Sequence, residues 1–192
     1  MDPRMTDRND QALLATGLGG AGDTVSLLNA FANEAQRFCE WAKNPAGDDA
    51  GAREALLRVS ALYLAGLQLS GDWHSSLEPE PLPDTVSKAE WQQVYAATEA
   101  LPLQYYSEVT NPLDVPPEDA GVGDLADDIA DIYRDIAEGL RLYEAGHPRE
   151  ALWQWVFNLT FHWGAHATSA MRALHWYLSD NESELAGSAD VM

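Results

Sequence analysis

Residues 124–143, DLADDIADIYRDIAEGLRLY, constrain the fold of this chain more than any other stretch. Their apolar members recur at three- and four-residue intervals, the spacing of one helical face rather than the alternation of a half-buried strand. On a wheel of about 100° per residue, Leu125, Ile129, Ile132, Tyr133, Ile136, Leu140 and Tyr143 share one broad side. Asp124, Asp127, Asp128, Asp131, Asp135 and Glu138 share the opposite side, within an arc of about 100°. A helix so sharply two-faced must bury its apolar side, so the rest of the chain has to supply further apolar helical faces.

The flanking segments do so. Asp23 or Thr24 can cap a helix that carries Leu27, Leu28, Phe31, Ala35, Phe38 and Ala42 and stops at Asn44-Pro45, because the residue before proline disfavours helix. Asp48 or Asp49 can cap a second, with Leu56, Leu57, Leu62, Tyr63, Leu64 and Leu67 as its apolar positions and Gly71 as its end. Residues 71–86 hold three prolines, Pro79, Pro81 and Pro83, and read as a loop. Ser87-Lys-Ala-Glu90 has the form of a capping box opening a third helix. Residues 102–123 read as an irregular connection, with at most one short helix at Gln104–Val109. The fourth helix runs from about Asp124 to Ala145, with Gly146 as its stop. A fifth begins at Pro148 and reaches Leu178, with Gly164 as the expected bend.

No segment shows convincing strand alternation. The sequence therefore predicts an all-α fold, a single irregular bundle of about five helices over residues 23–178. A flexible N-terminal tail (1–22) and an acidic, disordered tail (179–192) flank it. Within the first tail, GLGGAG lacks both a preceding strand and the Lys and Ser/Thr of a phosphate-binding loop, so it reads as linker.

Charge and cysteine content narrow the function classes. The 192 residues carry a net charge of −20, which opposes binding to nucleic-acid backbones and to anionic membrane surfaces. No run of about 18 apolar residues suggests a membrane span. One cysteine, Cys39, excludes an intramolecular disulfide, and the polar N-terminus has no signal-peptide pattern, so a cytoplasmic protein is expected. Nucleophile-elbow, kinase and dinucleotide-binding signatures are absent, and no cofactor is expected.

Two features remain for function. The acidic stripe reads first as a solvated helix face, relieved in part by Arg134 and Arg141, since each like-charge i,i+4 neighbour costs only about 0.2–0.5 kcal/mol. It reads second as a docking surface for a basic protein partner, formed by Asp124, Asp127, Asp128, Asp131, Asp135 and Glu138. The other feature is HWGAH, which places His162 and His166 four residues apart on one side of a helix. That spacing can hold a metal ion, but two histidines need a third ligand from another helix, and the glutamate of HExxH is missing. The first expectation is therefore no metal, with His162 and His166 as the alternative. His175 lies on the opposite side, and Cys39, between Phe38 and Trp41, reads as core.

Two resemblances complete the reading. LRLYEAGHPREALWQW at 140–155 resembles half of one tetratricopeptide repeat, with Gly139, Gly146 and Ala151 at its small-residue spacing. Asn158 and Trp163 depart from that repeat's pattern and no second copy follows at its period of about 34 residues, so it implies one helical hairpin. More widely, FANEAQRFCEWA, LLRVSALYLAGLQL, the DLADDIADIYRDI helix and the W...F...WG...A..ALH helix resemble a bacterial family of uncharacterised all-helical proteins, catalogued as a domain of unknown function. The resemblance spans residues 25–178 and implies one compact domain with no catalytic or binding residue to transfer. The expected role is a non-catalytic cytoplasmic interaction or regulatory protein of open oligomeric state; the alternative is a metal-binding bundle or metal-dependent enzyme using His162 and His166.

Overall fold

The computed structural model describes residues 21–69, 85–109, 111–116 and 119–189, with side chains described between 24 and 181. Residues 17–20 of the glycine-rich stretch, the loop at 71–84 with Gly71, and residues 190–192 lie outside them. Six helices and one small hairpin follow in order: α1 (Ala21–Ala42), α2 (Asp49–Gln68), α3 (Lys88–Thr98), β1 (Tyr105–Glu108), β2 (Gly121–Asp124), α4 (Leu125–Glu144), α5 (Pro148–Phe161) and α6 (Trp163–Ala189).

The helix ends follow the sequence signals closely. The Asp48 side chain accepts from the Gly51 N–H to cap α2, and the Ser87 hydroxyl accepts from the Glu90 N–H to cap α3. The second half of the capping box does not form. The Glu90 carboxylate instead accepts from the Tyr133 hydroxyl at 2.7 Å and from Arg141 at 2.7 and 2.8 Å, tying α3 to α4. Gly146, at φ +86°, ends α4 in the left-handed region where only glycine is at ease.

Four expectations are corrected. Residues 105–108 form a strand, not a helix, paired antiparallel with β2 in the register Tyr105↔Asp124 to Glu108↔Gly121. Neither strand carries the apolar alternation that marks a strand in sequence, because the hairpin is held at the edge of the bundle rather than in the core. The long fifth helix is two helices broken at His162, whose φ of −146° and ψ of −83° are not helical. Gly164 sits just past the break because a Cβ there would lie 2.1 Å from the Leu159 carbonyl oxygen. On α2 the buried residues are Gly51, Ala52, Ala55, Val59, Leu62 and Gly66, while Leu57, Leu64 and Leu67 are exposed. This small-residue face lets α6 approach closely enough for a Gly66 Cβ to clash with Trp163. The helical ends also extend further than expected, to Ala21 in the first tail and to Ala189 in the second.

Helix α4 is the centre of the molecule. It packs against α1, α3, α5 and α6, and α2 closes the bundle against α1 and α6. Its apolar side meets a core in which Phe31, Phe38, Leu62, Trp155, Trp163 and Leu174 are fully buried. Both buried indoles are satisfied: Trp155 donates to the Ile136 carbonyl and Trp163 to the Trp155 carbonyl, each at 3.1 Å. Because α4 is covered on nearly every side, its acidic face is covered as well.

Candidate metal centre

The expectation of a solvated acidic face is corrected by this placement. Asp128 and Asp135 are only 5% and 6% exposed, and the other members of the stripe are half-buried. Side chains from α3, β1, α5 and the α5–α6 junction engage them. Asp124 caps α4 through the Ala126 and Asp127 N–H groups and accepts from the Tyr95 hydroxyl at 2.8 Å. Glu138 accepts from the Val86 N–H at 3.2 Å and from Gln154 at 3.3 Å. Among the described residues, only Asp127 of the six has a carboxylate in no hydrogen bond or ion pair. Five of the six are thus engaged within the chain.

The middle of the stripe meets the two histidines. His162 lies at the α5–α6 junction and His166 in the first turn of α6, with ring centroids 4.9 Å apart. Asp135 Oδ2 lies 2.7 Å from His162 Nδ1, and Asp128 Oδ1 lies 2.8 Å from His166 Nδ1. A carboxylate only accepts, so each Nδ1 carries the proton and each Nε2 is the nitrogen left for another task. Both Nε2 atoms face Asp131 Oδ2, at 3.6 Å from His162 and 3.5 Å from His166. The other oxygen of Asp131 is held in place by the Trp91 indole at 2.7 Å and by Arg134 at 3.2 Å. Asp128 is held in turn by the Tyr106 hydroxyl, the reach of β1 into the site.

Electrostatics match this crowding. Burial pushes the Asp128 and Asp135 carboxyls up, against the opposing pull of their histidine partners. Burial, together with the charge of Asp131, also pushes Asp127 up. The hydrogen bond to Asp128 pushes His166 up. Carboxylates gathered this densely on one helix are stabilised by positive charge, whether a proton on imidazole or a metal cation.

The donor set suits a metal ion. One ligand atom each from Asp131, His162 and His166 lies within 4.8 Å of the other two. Two ligands about 2.0–2.1 Å from a tetrahedral ion lie about 3.3 Å apart, close to the 3.5 and 3.6 Å between Asp131 Oδ2 and the two Nε2 atoms. Each histidine has a carboxylate behind it that fixes its tautomer and ring plane, the arrangement usual for metal-bound imidazole. The candidate for the third ligand missing from the sequence reading is therefore Asp131, drawn from the acidic stripe itself. The helix break at His162 also has a role here, since it redirects the chain between the two histidines while keeping both on α4.

The comparisons agree on family and fold. The family model described as a domain of unknown function, DUF5063, matches residues 23–180. This chain belongs to that family. The crystal structure of protein BF1032 from Bacteroides fragilis is similar at 22% identity over 76% of this chain and 88% of that one, with a TM-score of 0.59, which shows a shared fold. No curated protein matches the chain. Among the described residues of this DUF5063 domain, no helix is long and apolar enough to cross a membrane.

Proposed function

We propose that this DUF5063 domain binds one divalent transition-metal ion through Asp131 Oδ2 and the Nε2 atoms of His162 and His166. The observation that carries this reading is the paired orientation of the imidazoles. Two separate carboxylates occupy the two Nδ1 atoms and leave both Nε2 atoms facing one oxygen of a third. Two nitrogens and one carboxylate oxygen favour zinc, iron, cobalt or nickel over magnesium or calcium, which prefer all-oxygen shells. Three protein ligands leave coordination positions free, the pattern of catalytic rather than structural metal sites.

Metal-free protein titrated with zinc should bind one equivalent per chain. The variants D131A, H162A and H166A should each lose most of that affinity while keeping the helical circular-dichroism spectrum. Absence of stoichiometric binding by the wild type sinks the reading, and so does an H162A/H166A variant that binds zinc as the wild type does.

A further inference from the structure

The charges around the ion decide what could join it. We infer that the free coordination positions accept neutral nitrogen- or oxygen-donor molecules and reject small anions; the inference rests on the metal reading above. Four carboxylates lie at the centre. Asp131 is a ligand, Asp128 and Asp135 stand directly behind the two histidines, and Asp127 lies one helical turn before Asp131 on the same face. Among the described residues, Arg134 is the one cation other than the histidines that contacts any of the four, at 3.2 Å from Asp131 and 4.0 Å from Asp135.

Among the described residues, the groups of α3 and β1 that reach this face add no positive charge. From α3 come Trp91 and Tyr95, and from β1 come Tyr106 and the further acid Glu108. With both imidazoles neutral, a divalent ion and Arg134 still leave the four carboxylates one charge in excess. Sites that recruit phosphate or carboxylate groups surround the ion with arginine or lysine donors; this one surrounds it with carboxylates. An incoming anion would meet that excess in a half-buried setting, where charge is screened less than at an open surface. A neutral donor meets no such penalty, which points to uncharged substrates such as amides or esters rather than phosphoesters.

Asp127 is the residue that tests this. It is outside the ligand set, its carboxylate is uncommitted among the described residues, and it is half-buried. Cobalt(II)-loaded protein at pH 8 provides a visible spectrum that reports added ligands directly. Imidazole should alter the spectrum at concentrations at least about tenfold below those needed for azide or inorganic phosphate. D127N should keep one cobalt per chain and raise azide affinity by about three- to tenfold, as expected for removing one charge at helical i,i+4 distance from a ligand. Its imidazole affinity should change less than azide affinity does, and D127E should behave as the wild type. The inference is overturned if azide or phosphate binds the wild type as readily as imidazole, if D127N leaves azide affinity unchanged, or if no probe alters the spectrum. A protein that takes up no cobalt overturns the metal reading itself, a separate outcome.

Discussion

At the scale of single residues, burial decides what each ionisable group does. Asp127, Asp128 and Asp131 look interchangeable in sequence, and a solvated stripe would tolerate asparagine at all three within about ±0.5 kcal/mol each. In the folded protein they differ: Asp127 is uncommitted, Asp128 is buried behind His166, and Asp131 faces both imidazoles. Removing a carboxylate that orients a metal-bound histidine commonly weakens metal affinity by about 10–100-fold. D128N and D135N should therefore each lower zinc affinity by that order, measured by competition with a chelating dye, without changing the stoichiometry. Cys39 gives a second residue-scale prediction. Burial pushes its thiol up to about 12, so at pH 8 it is almost wholly protonated, and only the thiolate reacts. A thiol reagent should modify it slowly in the native state and rapidly in denaturant. Equal rates in the two would place Cys39 outside the core.

At the scale of elements, α4 and α5 pack through a point that admits no side chain. A Cβ on Gly139 would lie 2.2 Å from the Trp155 indole nitrogen, which is itself bonded to the Ile136 carbonyl. G139A should destabilise the protein by about 1–3 kcal/mol through overpacking, measured by chemical denaturation. Truncations on the two helices should differ in cost. Ile132 on α4 is fully buried and Leu159 on α5 only half-buried. I132A should cost about 2–5 kcal/mol and L159A distinctly less; the reverse order would mean the helix faces are wrongly placed.

At the scale of the whole molecule, the proposed ion would be linked to the fold. The proposed ligands come from α4, the α5–α6 junction and α6, so an ion bound only by the assembled bundle would stabilise it by mass action. Zinc at about 100 times its dissociation constant contributes about 2.7 kcal/mol, which for a domain this size raises the melting temperature by about 5–10 °C. A chelator should reverse the rise, and H162A/H166A should show none. The α3–α4 contact adds a pH term. Burial alone would raise the Glu90 carboxyl, but the Tyr133 hydroxyl and the Arg141 guanidinium outweigh it and hold it below the ordinary glutamate range. The unfolded chain therefore binds that proton first as pH falls. The stabilisation is complete above the unfolded glutamate value and is lost as pH drops through the lower folded one. E90Q should remove this part of the acid sensitivity, seen as a smaller stability loss between about pH 5 and pH 3 than in the wild type.

Much of the architecture was legible in the sequence because it rests on local rules. Helix spacing, the caps at Asp48 and Ser87, the stop at Gly146 and the apolar side of α4 each depend on residues within a few positions of one another. The hairpin was not legible, because its strands lack alternation and are ordered by pairing with each other. The break at His162 was only half legible: Gly164 marked the region, but the close approach to Leu159 set the position. The candidate centre was present in sequence as two unconnected features, an HxxxH pair and a row of aspartates. A wheel shows which residues leave one side of a helix but not what lies across from them. Asp131 meets His162 and His166 only because α4 runs through the middle of the bundle, where its second face is covered too. Periodicity therefore determined that α4 has two faces, and tertiary packing alone decided that both meet other parts of the chain. That packing turns a row of acids that would repel one another in water into a site that calls for positive charge.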